Sequence, residues 1–294
     1  MERRLDGTTN RLGSGAARRN GSASRERELS MARYPLLLGL AAIVTWGLFG
    51  SPAARPVSAQ DRVGGLVVRA IAAAEADEFA AAEQDLNLAL AIDPLRHSVR
   101  YWRGRVRFCQ GKIELSVVDF DRYWTEFPDL RSRQWERGIA LYYAGRFDDG
   151  AAQFADYQTY HDADVENAAW RYLCEAQRDG VDRASRALMP VGPDRRIPMM
   201  RLHELYGGRC TPDEVMAEVA KLADGSPERR SAEFYAHLYL GLWYESRGEQ
   251  ETALEHLKRA AEEFPIRHYM GRVAEVHYRR AAERDAAERS DPGR

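Results

Sequence analysis

Two stretches decide how this chain folds: Tyr101-Trp-Arg-Gly104-Arg-Val-Arg-Phe-Cys-Gln-Gly111 and Trp135-Glu-Arg-Gly138-Ile-Ala-Leu-Tyr-Tyr-Ala-Gly145. Gly104 and Gly138 are 34 residues apart, and the same spacing separates Gly111 from Gly145, Phe120 from Phe154 and Pro94 from Pro128. Four independent pairs at one spacing define an internal repeat, which governs every other reading. With the first glycine placed at position 8, one unit is 97–130 and the next is 131–164. A later unit, 234–267, has Gly241 at position 8, Tyr244 at 11, Gly248 at 15, Ala253 at 20, Ala260 at 27 and Pro265 at 32. Residues 63–96 form a weaker first unit, carried by Ala70, Ala82, Leu86, Ala89 and Pro94.

Each of these positions has a physical reason. A small residue at 8 lets two helices of a hairpin cross closely, and alanine at 20 and 27 does the same for neighbouring turns. Glycine at 15 turns the chain between helices at positive φ. Proline at 32 stops the second helix. A 34-residue period with these residue types is that of the tetratricopeptide repeat (TPR), so the expected fold is an all-α TPR helical-hairpin solenoid.

Between 165 and 233 the register degrades. Asn167–Cys174 reads as a first helix and Arg183–Leu188 as a shortened second one, before Pro190, Pro193 and Pro198 interrupt the pattern. Met199–Tyr206 is a short helix ended by Gly207-Gly208, and Thr211-Pro-Asp-Glu214 is a capping box opening a helix to about Leu222. This segment is expected to be an irregular helical elbow between an N-terminal repeat block, 60–164, and a C-terminal one, 234–294. His268–Arg289 completes the latter as an amphipathic capping helix whose polar surface closes the solenoid.

Charge and composition narrow the class. Hydrophobic residues make up 45% and charged residues 30% of the 294, which excludes collagen, a wholly disordered chain and a multi-span membrane protein. Residues 1–59 hold nine arginines against four acids, so of the overall −2 charge the remainder carries a net −7. An acidic body is not a nucleic-acid binder, because neutralising phosphates needs a basic surface. Residues 1–30 are rich in Arg, Gly and Ser without apolar periodicity and read as a disordered extension. Residues 31–59 read as an export signal: Arg33 precedes the apolar run Pro35–Gly50, and Val57 and Ala59 fit the −3 and −1 positions of cleavage after Ala59. Met31 stands where such a signal would begin, which makes it the expected true start. The alternative is an uncleaved anchor through 35–50, with the Arg-rich segment held cytoplasmic; either reading puts the body outside the cytoplasm.

Arg137–Arg146 resembles the middle repeat of the NlpI-type periplasmic TPR lipoproteins of bacteria, and Tyr239–Tyr244 with Gly248 and Ala253 resembles their C-terminal repeat. Trp170-Arg-Tyr-Leu173 before an irregular segment keeps the same order between them. The similarity spans roughly 65–280, mostly at positions that are also repeat scaffold. It implies a dimeric helical adaptor that brings envelope proteases or peptidoglycan hydrolases to their substrates. No cysteine lies between Met31 and Ala59, so the lipid anchor of that family is not carried over.

In TPR hairpins, positions 2, 5, 9, 12 and 13 of the first helix line the concave groove. Here they place Tyr101, Arg105 and Phe108 beside Trp135, Ile139, Tyr142 and Tyr143. Five aromatics and an arginine suit a groove that binds a protein or peptide partner, since Tyr, Trp and Arg dominate binding hot spots. The alternative is that these rings pack against the elbow or a neighbouring subunit of a homodimer. The later unit offers Tyr235, Leu238, Leu242 and Glu245, a milder surface. Arg103 and Arg137 share one repeat position, and their stems are expected to cover a helix interface while meeting acids such as Asp121 or Glu136. Cys109, Cys174 and Cys210 show no spacing that favours a disulfide, and the first and second of these read as buried single thiols. The seven histidines include no HxxxH or HExxH, and neither GxSxG nor a phosphate loop occurs, so no metal, cofactor or catalysis is expected. The sequence points to a non-enzymatic, exported scaffold or adaptor acting by protein–protein binding. A structural homo-oligomer is the runner-up, and an enzyme comes last.

Overall fold

The computed structural model describes residues 58–290; the expected N-terminal extension, the apolar run 35–50 and Met31 lie outside the described residues. Among the described residues there is no strand, and no helix is long and apolar enough to cross a membrane. Consecutive helices pack in pairs: α1 (Ala59–Glu75) with α2 (Phe79–Ile92), α3 (His97–Cys109) with α4 (Ile113–Glu126), and α5 (Trp135–Tyr143) with α6 (Phe147–Gln158). A 3-10 turn, Pro128–Arg133, joins the second pair to the third. The molecule is thus an all-α helical-repeat solenoid. Ser58 caps α1 by accepting from the Asp61 N–H at 3.0 Å, so the expected cut after Ala59 falls in the first turn of that helix.

The crossings follow the repeat. A Cβ added at Gly104 would lie 3.0 Å from the Phe120 ring, at Gly138 2.7 Å from Phe154, and at Gly241 2.7 Å from Leu257. Position 8 is small because the residue sixteen further on fills the space where its side chain would stand. Position 20 obeys the same rule with Ala82, Ser116, Gly150 and Ala253, all buried. Gly111, Gly145 and Gly248 turn their hairpins at φ 75°, 71° and 81°. In the first unit Asp77 takes that turn at φ 64°, a conformation aspartate tolerates better than most residues.

An arginine ladder stiffens the outer side of the stack. Arg69 chelates Asp85, and Arg103 chelates Asp119 at 2.8 and 2.7 Å. Arg137 reaches Asp121 at 2.7 Å and Gln153 at 3.0 Å, and Arg171 pairs with Glu175. Asp119, with no side-chain exposure, also faces Arg107 at 2.8 Å and Arg100 at 3.7 Å. Arg137 thus meets the expected Asp121, whereas Arg103 takes Asp119, and Glu136 instead accepts from the Tyr101 hydroxyl.

In the fourth pair, α7 (Val165–Asp179) is followed by only a six-residue α8 (Val181–Arg186). At position 8 of this unit Tyr172 stands in place of the small residue. Its ring packs edge-on against Tyr206 of α9 (Met199–Tyr206), with centroids 4.8 Å apart. α9 and α10 (Pro212–Val219) form the elbow, and the Thr211/Glu214 capping box opens α10 as expected. α11 (Pro227–Ser246) starts seven residues ahead of the repeat boundary at 234, because Ser226 caps it and Pro227 fits its first position. α12 (Gln250–Lys258) closes the last hairpin and runs into a π-helical turn, Arg259–Glu263.

The final helix, α13 (Tyr269–Ser290), caps the last hairpin as expected, and it does more than cap. It packs against α12, but it also returns to α3 on the inner side of the stack, burying Tyr269, Met270, Val273, Ala274, Val276, His277 and Ala281. Gly271 permits the reversal, since a Cβ there would overlap the Ile266 carbonyl.

Two glycine substitutions separate packing from helix propensity. Gly138→Ala should destabilise the protein by about 1–3 kcal/mol, as overpacking against Phe154 requires. Gly65→Ala, exposed and with nothing near its Cβ, should stabilise α1 by about 0.5–1 kcal/mol. Denaturant unfolding of both variants checks the pair; a shift of the same sign for both would refute the crossing rule.

Candidate protein-binding face

The inner face is built from the first helices of successive hairpins, α3, α5, α7 and α11. The seven residues expected to line a groove stand on α3 and α5, and α13 meets Arg105, Phe108, Trp135 and Tyr143 among them. Phe108 and Ile139 are fully buried. Phe108 packs between Tyr143 and Tyr269, at centroid separations of 5.2 and 5.8 Å. Arg105 lays its guanidinium over the Tyr269 ring at 4.5 Å, and Trp135 meets the same ring edge-on at 5.5 Å. Tyr101 donates to the buried Glu136 carboxylate at 2.5 Å. Tyr142 packs on Trp170 and Phe147, while the Tyr143 hydroxyl is 2.7 Å from His277 Nδ1. Tyr142 and Tyr143 thus pack on Trp170 of the 165–233 segment, as the elbow alternative expected, while Phe108, Trp135 and Tyr143 also meet the protein's own last helix.

Polar contacts fix α13 at several points along its length. Arg272 pairs with Asp77 at the first hairpin turn, and Arg279 donates to the Cys109 carbonyl at 3.3 Å. His277 Nε2 lies 2.7 Å from Glu245, which Arg284 also reaches. Burial alone would raise the Glu245 carboxyl, but His277 and Arg284 outweigh it and hold the group below its ordinary value. Tyr235, Leu238 and Leu242 are buried as well, so the milder surface expected on α11 is interior. The stripe at 269, 270, 273, 276 and 277 follows helical spacing and supplies the apolar side that the inner-face aromatics need.

Part of the face stays open where α13 begins. A cavity of about 220 Å³ lies there, with Trp135, Tyr157, Glu166, Asn167, Trp170 and Arg196 among its walls. Glu166 accepts from Arg196 at 2.5 Å and from the Tyr239 hydroxyl at 2.7 Å. Arg196 also serves Asp164 at 2.8 Å and Asp194 at 2.6 Å. Burial raises the Glu166 carboxyl to about 7; Arg196 opposes this, and the neighbouring Asp164 adds to it. The sequence reading did not single out Glu166, Asp164 or Arg196. Arg196 lies in the proline-broken elbow, and only the fold brings it to the start of α7.

Among the described residues, no three His, Cys, Asp or Glu side chains gather closely enough to hold a metal ion. Cys109, Cys174 and Cys210 are all free thiols, and burial pushes Cys109 up to about 12. His237 and His256 face each other with their Nδ1 atoms 2.8 Å apart, and burial depresses both, to about 3 and about 4.

No protein-family model matches the chain. The Glu166 environment makes a prediction of definite sign. Its folded value of about 7 exceeds the ordinary 4.5, so the protonated form favours folding, and that contribution disappears as pH rises through 7. Glu166→Gln removes the titration. The difference in melting temperature, variant minus wild type, should therefore increase between pH 5 and pH 8. An unchanged difference would contradict the assigned environment.

Proposed function

We propose that this protein is an exported, non-enzymatic scaffold of the TPR type, working in the cell envelope by binding other proteins. The observation that carries the reading is the inner face itself. Its aromatic and arginine lining already holds an amphipathic helix, α13, through ring packing, a cation–π contact and charge-assisted hydrogen bonds. A face that seats one helix this way has the chemistry to seat a partner's segment beside it, and the open end at Trp135 and Tyr157 gives that segment a place. The 34-residue period and the resemblance to NlpI-type adaptors support the same reading, and the apolar run 35–50 followed by Val57 and Ala59 supports export. A rigid stack of hairpins loses little conformational freedom on binding, so a modest contact area can be selective.

A second reading, a structural homo-oligomer, is favoured by one observation. Val68, Leu88, Leu95, Leu115 and Val118 are exposed in the first two hairpins, with Leu95 at 78%.

Site-specific photocrosslinking in the native envelope tests the two readings together. A crosslinker at His268, beside the open end, should capture a different protein, whereas one at Val118 should not. Capture of its own subunit alone, from either position, would replace the adaptor with the oligomer.

A further inference from the structure

Among the described residues the stack of hairpins begins at α1, and the outer side of that helix has the form of an inner one. In the second hairpin, repeat positions 3, 6, 7 and 10 are Val99, Trp102, Arg103 and Val106, and they pack on the hairpin before. Val99 and Val106 are buried in one cluster with Leu86, Ala89 and Leu90 of α2. The same four positions of α1 are Gly65, Val68, Arg69 and Ala72, all exposed, with Val68 at 69%. A Cβ added at Gly65 would meet nothing within 4 Å. A terminal repeat ordinarily turns a polar side outward; this one turns out Gly65, Val68 and Ala72.

The arginine at position 7 states what is missing. Arg103 donates from Nε and Nη2 to Asp119 of its own hairpin, while Nη1 reaches back to Asn87 of α2 at 2.7 Å. Arg137 divides itself in the same way, between Gln153 of its own hairpin and Asp121 of α4. Arg69 sets Nε and Nη2 on Asp85, which holds the repeat position of Asp119 and Gln153. Its Nη1 has no partner among the described residues, and its side chain is 67% exposed. Arg62 lies two helical turns earlier on the same face, exposed and paired with no acid among the described residues.

Resting on the scaffold reading above, we propose that α1 docks an acidic amphipathic helix of a partner protein, where a preceding hairpin's second helix would stand. A carboxylate of that helix accepts from Arg69 Nη1, as Asp121 accepts from Arg137, and another two turns away stands against Arg62. Large apolar side chains lie on Val68 and fill the room over Gly65 and Ala72. A second copy of this chain fits poorly, because a two-fold axis centred on Val68 sets the two Arg69 guanidiniums side by side.

The probe is a stapled helix with the sequence of α4, Ile113–Glu126, which already presents Asp121 to Arg137. The staple is needed because a helix this short is marginal alone in water. A photoreactive diazirine replaces Val117, one turn before Asp121. Fluorescence anisotropy follows binding to the full chain, and mass spectrometry locates the crosslinks. The expected result is saturable binding with crosslinks within residues 62–76. It should weaken at least tenfold when the helix carries Asp121→Lys, and at least tenfold when the chain carries Val68→Asp with unchanged circular dichroism. Equal binding of the lysine helix, crosslinks to α5 in place of α1, or no binding would overturn the proposal. So would a chain that sediments as a dimer and becomes monomeric with Val68→Asp, which would assign the face to a second copy. The probe needs no cellular partner. No docked helix alongside successful photocrosslinking at His268 would discard this face alone, and a docked helix with no crosslinked partner would discard the scaffold reading alone.

Discussion

The structure depends on a contact between a residue with no side chain and a large one sixteen residues later. Gly104 against Phe120, Gly138 against Phe154 and Gly241 against Leu257 bring paired helices close enough for their backbones to cross. Ala70 and Leu86, both buried, hold the same two positions in the first hairpin. Because each hairpin buries only part of its apolar surface internally, the next must cover the rest; the buried residues form one cluster from α1 to α3 and a second from the end of α3 to α13. At Tyr172 the small residue is replaced by a ring that packs on Tyr206 of α9, and the second helix of that unit, α8, is only six residues long.

Stacking also creates a problem at the inner side. The first helices α3, α5 and α11 present Phe108, Ile139, Tyr143, Leu238 and Leu242 there, all of them large and most fully buried. An open groove would leave such rings in water. The chain resolves this by folding its last helix back over them, with Tyr269 as the hub: Phe108, Trp135 and Arg105 all converge on its ring. What remains open at the start of α13 is a cavity of about 220 Å³ with Trp135, Tyr157, Asp164, Glu166 and Arg196 among its walls.

Local rules made the hairpins legible in the sequence. Positive-φ glycines at 111, 145 and 248, the capping box at Thr211 and the proline breaks each act within a few residues, and each could be read one unit at a time. Asp77 hid the first turn because aspartate also serves elsewhere. The arginines at 69, 103, 137 and 171 keep the same 34-residue spacing and would have tied the first and fourth units to the register, had a charged position been followed as closely as the glycines. The location of α13 was not legible. An amphipathic stripe says that a helix has a buried side, not what buries it, and its contacts span long separations: 134 residues from His277 to Tyr143, and 170 from Arg279 to Cys109. The seven inner-face residues were therefore grouped from sequence without their cover. Glu166 escaped for the same reason, its partners Arg196 and Tyr239 lying 30 and 73 residues away.

The central claim is that the solenoid closes on its own C-terminal helix, and amide hydrogen exchange followed by mass spectrometry addresses it directly. Residues 269–281 should exchange as slowly as those of α5, whose rings they cover, while 282–290 exchange rapidly as an exposed extension. Fast exchange across the whole of α13, with α5 still protected, would show that the inner face holds together without it and would contradict the account.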